Sequence, residues 1–252
     1  MKVAIVTGVS KGLGKYIAKG MLASNTHVFG TSRSENKTLQ DVSKKHNMNY
    51  IFIPADLCST DEVQQLIEKL QAELSGKKLE CLYVINNAAM LTPISRSENI
   101  FDHDLQRHFQ INVMTPMMLL NFFIKDSMEN QYPIIGVNIS SGAAEKPISG
   151  WSAYCSAKAS INMYTRTIAL EQQELKTGNK IIAFSPGVMD TDMQKEIRST
   201  SEEHFSNVER FREFKQNNSL VQPKVVANVL IRILNKPQTI HNGKIYNVTD
   251  YL

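Results

Sequence analysis

Tyr154 and Lys158 are the residues whose types and spacing most directly suggest chemistry. They lie four residues apart in the stretch GWSAYCSAK, with only small residues between them. In a helix, residues at i and i+4 share a face, so the phenol and the ammonium can meet. A phenol titrates near ~10 in water, and a nearby cation lowers that pKa towards the range in which acid/base catalysis works at neutral pH. The pair therefore predicts a proton donor, although the spacing alone also fits an ordinary surface pairing.

The elements that must position this pair alternate regularly along the chain. Apolar, strand-like runs at 3–7, 26–31, 50–57, 81–88, 133–142 and 180–187 are separated by longer stretches with helical periodicity. Continuous hydrophobic strands between helices are typical of a parallel sheet buried on both faces. We therefore predict an α/β fold, a Rossmann-like doubly wound parallel sheet with helices on both faces. Because no repeat or linker divides the sequence, we expect one domain over 1–252.

Glycines follow the first strand at Gly8, Gly12 and Gly14, immediately before a helical stretch. Glycines at such a turn allow the backbone to approach a pyrophosphate, which then lies at the N-terminus of the helix. The strand before the turn and the helix after it favour a nucleotide site over a purely structural turn.

Composition narrows the classes of partner. The net charge is only +4, with 42% hydrophobic and 21% charged residues, and the basic residues are scattered. We therefore expect neither nucleic acid nor a membrane as a partner, and no secretion signal before the first strand. Three cysteines without disulfide or metal spacing indicate a cytoplasmic, metal-free protein. The charged, aromatic-containing segment 188–220 follows a strand end, where ligands of such sheets bind, and is predicted to be a substrate lid.

Several motifs occur together in chain order. They are T-G-x-x-x-G-x-G from residue 7, N-N-A-A from residue 86, Ser141, the Tyr154-x-x-x-Lys158 pair and P-G at 186–187. In this combination the chain resembles the short-chain dehydrogenase/reductase family over essentially its whole length. One departure is Ala89, where the family usually has glycine, so the cofactor's seat could shift slightly.

The resemblance implies a catalytic tetrad of Asn112, Ser141, Tyr154 and Lys158. Tyr154 would donate a proton to a substrate carbonyl, Ser141 would bind that carbonyl, and Lys158 would lower the pKa of the phenol and hold the nicotinamide ribose. Asn112 would position a water leading from Lys158. Asparagine is disfavoured inside a helical pattern, so a role beyond local propensity is expected for it.

The resemblance also implies a nicotinamide cofactor, and two cations favour NADPH. No carboxylate follows the second strand until Glu35, whereas Arg33 offers a fork suited to a phosphate and Lys11 can reach the same group. Positions matching the family's cofactor contacts are Gly8, Ser10, Lys11, Gly12, Leu13, Gly14, Arg33, Asp56, Leu57, Asn87, Ala88, Tyr154, Lys158, Pro186, Gly187, Val188 and Thr191.

Stretches 140–160 and 184–199 are most similar to the benzil-reductase branch, and the run D-T-D-M-Q also resembles sepiapterin reductases. We expect NADPH-dependent reduction of one carbonyl of a vicinal diketone. A pterin reductase, a 3-oxoacyl-type reductase and a non-catalytic NADPH-binding regulator remain alternatives. Trp151, Met189 and Met193 are candidate substrate contacts, with plain packing as the other interpretation. The apolar stretch 112–128 predicts a homodimer, or a tetramer.

Overall fold

The computed structural model describes residues 1–252 and is organised around one parallel sheet of seven strands. The strands are β1 (Lys2–Thr7), β2 (His27–Ser32), β3 (Tyr50–Pro54), β4 (Cys81–Asn86), β5 (Ile134–Ile139), β6 (Lys180–Ser185) and β7 (Ile245–Asn247). Their spatial order is β3-β2-β1-β4-β5-β6-β7. The order reverses direction between β1 and β4, and ligands bind at such a point in open α/β sheets.

Nine α-helices connect and cover these strands. They are α1 (Gly12–Ala23), α2 (Thr38–Lys45), α3 (Thr60–Leu74), α4 (Asp102–Phe109), α5 (Thr115–Asn130), α6 (Ser152–Glu174), α7 (Asp192–Ser199), α8 (Val208–Gln216) and α9 (Pro223–Leu234). Helices α1 and α9 pack on one face of the sheet, and α3, α5 and α6 pack on the other. The predicted doubly wound fold is therefore confirmed.

The central strands are buried on both faces because their side chains alternate between two apolar layers. In β1, Ala4 and Val6 face the layer containing α1 and α9, whereas Val3 and Ile5 face the layer containing α3 and α5. A strand with no solvent face needs an apolar residue at every position. This is why the central strands read as unbroken hydrophobic runs.

Three details differ from the pattern of the sequence. Strand β7 was not predicted, since three residues are too few to give a periodic signal. The stretch after β4 is not one helix, because a π-helical turn at Gln110–Met114 separates α4 from α5. The insertion 188–220 contains α7 and α8, and its base is closed by backbone pairing of Met189 with Val221. None of the helices is long and apolar enough to cross a membrane.

Candidate active site

The glycine turn between β1 and α1 is shaped by backbone contacts that leave no room for side chains. Gly8 has a φ of +74°, and its N–H donates to the Thr31 carbonyl at 2.8 Å. A Cβ on Gly14 would lie 2.3 Å from the Gly8 carbonyl oxygen and 2.4 Å from Asn87 Nδ2. The turn therefore packs directly on the end of β4.

The N-terminus of α1 suits an anion. Its first turn contains no acidic residue, and the Lys11 side chain makes no capping hydrogen bond. A Cβ on Gly12 would meet only Thr191 Cγ2, at 3.8 Å, so this side of the turn is open. The exposed N–H groups and the helix dipole favour a phosphate here, and the turn therefore fits the pyrophosphate of a dinucleotide.

The end of β4 is fastened to the end of β1. The Thr7 hydroxyl accepts hydrogen bonds from the N–H groups of Asn87 and Ala88, both at 2.9 Å, and Asn87 Nδ2 donates to the Thr7 carbonyl at 2.9 Å. The Asn87 amide is thus partly committed to the scaffold. At the neighbouring strand end, Asp56 Oδ1 accepts from the N–H of Cys58 at 3.0 Å, while Leu57 is buried.

The two cations expected near the adenosine end differ in their surroundings. Arg33 is exposed and forms no ion pair. Lys11 forms an ion pair with Asp192, Nζ to Oδ2 at 2.8 Å, at the start of α7. Of the two, Arg33 is the one without a carboxylate partner. Ser10 precedes Lys11 in the turn, and its carbonyl accepts from Asn36 Nδ2 at 2.6 Å.

The chain after β6 returns to the glycine turn. Pro186 is buried, and Gly187 adopts a φ of +68°. Val188 is partly buried and its carbonyl accepts from the N–H of Val221 at 3.1 Å, which closes the base of the insertion. Thr191 is the N-cap of α7 and lies beside Gly12. This segment therefore reaches the glycine turn at Thr191, and its contacts with a cofactor stay a prediction.

Tyr154 and Ser141 come together from different elements. Tyr154 lies in the first turn of α6, and Ser141 follows β5 as the cap of a short 3₁₀ turn. Burial raises the pKa of the Tyr154 phenol to about 12, while the Ser141 hydroxyl, as its hydrogen-bond partner, acts in the opposite direction. The phenol is therefore held protonated beside a second hydroxyl, as a proton donor needs to be.

Lys158 lies one turn further along α6, as predicted from the spacing. Its Nζ is 5.7 Å from the centre of the Tyr154 ring and donates to the Ile139 carbonyl at 2.8 Å. Burial lowers the pKa of this ammonium to about 8. The effect of Lys158 on the pKa of the phenol stays a prediction, because burial is the largest influence on that pKa in the protein alone. Burial has the largest effect on the pKa of both groups, and the ammonium donates its hydrogen bond to the Ile139 carbonyl.

The hydroxyl of the neighbouring Ser140 makes a buried structural hydrogen bond. Its Oγ donates to Asn162 Oδ1 at 2.6 Å, and Asn162 Nδ2 donates to Glu145 Oε1 at 2.9 Å. Ser140 is buried whereas Ser141 is partly exposed. The choice of Ser141 from spacing therefore agrees with which hydroxyl is free to meet a substrate.

Asn112 lies in the π-helical turn between α4 and α5. Its Nδ2 donates to the Met90 carbonyl at 2.9 Å, and its Oδ1 accepts from the Met90 N–H at 3.3 Å. π-helical turns are frequent at functional sites, and here the turn brings a buried amide against the segment after β4. Its side chain fixes that segment, and its role towards a water stays a prediction.

Trp151 joins Tyr154 to the insertion. Its ring stacks on Phe205 at a centroid distance of 4.9 Å and meets the edge of Tyr154 at 5.5 Å. Phe211 completes the group at 5.4 Å from Trp151. We call Trp151, Phe205 and Phe211 the aromatic cluster. Met193 packs against it, whereas Met189 packs against the core beneath the sheet, so the two methionines do not form one wall.

His108 was missed by the sequence reasoning. It is fully buried, its ring lies 6.1 Å from that of Tyr154, and its Nδ1 is 2.7 Å from the Thr92 carbonyl, which can only accept. Nδ1 therefore carries the hydrogen. Burial lowers the pKa of this imidazole. A histidine four residues before Asn112 was the available signal. No sequence signal pointed to Phe205 and Phe211, because Trp151, on which they pack, lies about 50 residues earlier in the chain.

Comparison with known proteins agrees with this geometry. A family model described as short chain dehydrogenase matches residues 2–202. The chain is 39% identical over 252 residues to a benzil reductase ((S)-benzoin forming) of Bacillus subtilis, covering all of both chains. It is 29% identical over 210 residues to the sepiapterin reductase of Rattus norvegicus, covering 79% of this chain and 78% of that one.

Among solved structures, a short chain dehydrogenase/reductase from Saccharomyces cerevisiae superposes with a TM-score of 0.80 at 28% identity, covering 98% of this chain and 96% of that one. The glycine turn, the tyrosine–lysine pair on α6 and the whole-length match lead to one conclusion. The chain belongs to the short-chain dehydrogenase/reductase family, and it is an oxidoreductase that acts on CH–OH and C=O groups with a nicotinamide cofactor.

Proposed function

We propose that this protein is an NADPH-dependent carbonyl reductase that converts one carbonyl of a vicinal diketone to a hydroxyl group. The observation that carries the proposal is the protonated phenol of Tyr154 between Ser141 and the aromatic cluster. It combines a proton donor for a carbonyl oxygen with an apolar, aromatic surface for the rest of the substrate. The whole-length similarity to a protein named as a benzil reductase supports the same substrate class.

Each side chain has a defined part in the proposed reaction. Ser141 donates a hydrogen bond to the carbonyl oxygen, where negative charge develops, and Tyr154 transfers its proton to that oxygen. The bound cofactor supplies the hydride for the carbonyl carbon. Lys158, as a cation close to the phenol, stabilises the tyrosinate that remains until a proton returns from solvent. Asn112 would hold a water on that return path.

Arg33 supports NADPH over NADH. It is exposed at the end of β2 without an ion-pair partner, and no carboxylate immediately follows that strand end to hydrogen-bond a ribose 2′-hydroxyl. A guanidinium can bind a 2′-phosphate with two parallel hydrogen bonds. Lys11 contributes less, because it must first leave Asp192. The cofactor's pyrophosphate would lie on the glycine turn, beside Thr191.

The insertion 188–220 acts as the substrate lid in this proposal. Its Phe205 and Phe211 pack on Trp151, next to the phenol. An ion pair between Lys215 and Asp190, Nζ to Oδ2 at 2.8 Å, holds α8 near the base of the segment. A diaryl diketone would enter between this segment and Tyr154.

A direct test is reduction of benzil by the purified protein. We expect NADPH absorbance to fall on addition of benzil and a hydroxyketone to accumulate in equal amount. Sepiapterin and a 3-oxoacyl thioester serve as comparison substrates. A higher kcat/KM for either of these than for benzil contradicts the diketone assignment, and no NADPH consumption with any of them contradicts the reductase assignment.

We also propose a homodimer formed by α5 and α6. Met163 and Leu170 on α6 are 61% and 56% exposed, and Met114 before α5 is 49% exposed. Apolar side chains of this size on adjacent helices are typical of a protein interface. Light scattering should give twice or four times the mass of the chain, and Leu170→Asp should give monomers.

We also propose a cytoplasmic location, because three free cysteines suit a reducing compartment.

A further inference from the structure

The indole N–H of Trp151 is buried and has no hydrogen-bond partner. Indole nitrogen is a donor only, and buried tryptophans usually find an acceptor for it. An unpaired buried donor costs stability, so its presence next to the active site calls for a functional explanation.

The side chains that surround this indole explain why the protein cannot pair it. Phe205 covers one face of the ring, Phe211 lies at its side, and Tyr154 meets it edge to face. The phenylalanines have no acceptor atom. No atom of the protein, the Tyr154 hydroxyl included, accepts a hydrogen bond from the indole nitrogen. We therefore look for the acceptor in a molecule bound beside Tyr154.

We propose that Trp151 is a specificity-determining residue whose indole N–H donates a hydrogen bond to the second carbonyl oxygen of a vicinal dicarbonyl substrate. This rests on the proposed function, in which Tyr154 and Ser141 bind the first carbonyl. The two oxygens of such a substrate are on adjacent carbons, so the second lies near the first. The rings of Trp151 and Tyr154 are themselves neighbours, 5.5 Å apart.

The proposed bond would separate dicarbonyls from simple ketones. A ketone that lacks the second oxygen leaves the buried N–H unpaired in the complex. Sites built around a buried hydrogen bond reject analogues that cannot make it far more strongly than they reject a change in size. The aromatic cluster alone would accept both, since it offers only apolar surface.

Trp151→Phe tests the proposal, because it keeps an aromatic ring for Phe205 and removes only the donor and part of the ring. The substrates are benzil and deoxybenzoin, which carry the same two aryl groups but two and one carbonyls. We expect kcat/KM for benzil to fall roughly ten- to a hundredfold and that for deoxybenzoin to change less than twofold. Equal losses for both substrates would mean that Trp151 only packs, and would overturn the proposal.

A second measurement does not depend on turnover or on the variant. Trp151 is the only tryptophan, so protein labelled with ¹⁵N gives one indole N–H resonance. Adding benzil to the NADP⁺-bound protein should move that proton resonance downfield, and deoxybenzoin should not. Equal shifts with both ligands contradict the hydrogen bond. If the wild type fails to reduce benzil, the proposed function is wrong, and this titration still decides whether Trp151 binds the second carbonyl.

Discussion

The two halves of the candidate site are built by different means. On the cofactor side, most contacts involve main-chain atoms: the Thr7 hydroxyl accepts from two backbone N–H groups after β4, and the Gly14 backbone approaches the Gly8 carbonyl so closely that a Cβ has no room. On the substrate side, α6 and the insertion are joined by side chains, chiefly Trp151 on Phe205. The close backbone approach at Gly14 excludes any residue with a Cβ, whereas a side-chain contact such as that of Phe205 can be made by several residue types. The cofactor side therefore suits a ligand that never changes, and the substrate side can be adapted to a particular substrate.

Tyr154 lies where the two halves meet, and its loss should have the largest effect. Tyr154→Phe removes the proton donor but keeps the ring against Trp151 and His108. We expect kcat to fall about 10²–10⁴-fold, with cofactor affinity and melting temperature little changed. Stopped-flow reduction of benzil and a nucleotide titration measure the two effects. A variant that keeps a tenth of the wild-type kcat contradicts the assignment of Tyr154 as the acid.

Arg33→Asp probes the rim of the cofactor side. It removes a phosphate donor and supplies a carboxylate for a ribose hydroxyl, so the preference for NADPH, about one to three orders of magnitude in the wild type, should reverse. The ratio of kcat/KM for the two cofactors measures this. Lys44→Asp, the same charge change at an exposed site on α2, should leave the ratio nearly unaltered. Equal use of both cofactors by the wild type would show that Arg33 does not choose between them.

Gly14→Ala tests the main-chain contact beneath the turn. The added Cβ would lie 2.3 Å from the Gly8 carbonyl oxygen, and overpacking of this kind costs about 1–3 kcal/mol. We expect the dissociation constant for NADPH to rise about ten- to a hundredfold. Gly142→Ala is the matched control, since its Cβ meets nothing within 4 Å. Unchanged affinity in Gly14→Ala would mean that the turn can relax without affecting its ligand.

Phe205→Ala tests the opposite half. Phe205 is fully buried against Trp151, so its loss should loosen the insertion while the sheet stays folded. We expect KM for benzil to rise about tenfold, on the order of the 1.4 kcal/mol that one decade represents, and the NADPH affinity to change less than twofold. Phe101→Ala, at a side chain that is 69% exposed, should change neither constant. Equal losses on both sides would contradict the independence of the two halves.

The smallest expected effect concerns pH. Reduction needs a protonated Tyr154 and a charged Lys158, and burial lowers the pKa of Lys158 to about 8. Activity should therefore fall to about half its maximum near pH 8. In the unfolded chain this lysine has its ordinary pKa of 10.5. Between about pH 8 and that value the unfolded chain binds more protons than the folded one, so stability should rise with pH. Thermal unfolding of Lys158→Met should lack this rise, and an identical slope would contradict a lowered pKa.

Sequence reasoning predicted more of the cofactor side than of the substrate side, because backbone constraints restrict residue type whereas contacts between distant side chains do not. Gly8, Gly12 and Gly14 could be interpreted because their conformations and close approaches exclude other residue types. The π-helical turn that carries Asn112 could not be foreseen, because one extra residue in a helix leaves no mark in a periodic pattern. The raised pKa of Tyr154 could not be foreseen, since the opposing effects of burial and of a cation cannot be weighed from a spacing.

By itself the sequence determined the order of the first six strands and the alternation of helices with them, the glycine turn, and the placement of Tyr154 and Lys158 on one face of a helix. These are local properties, fixed by residue type and by separations of a few positions. Only the tertiary structure decided which serine is free, that Lys11 is paired with Asp192, and that Phe205 closes on Trp151. Those contacts join residues far apart in the chain, and their energies depend on burial and distance, which exist only once the chain has folded.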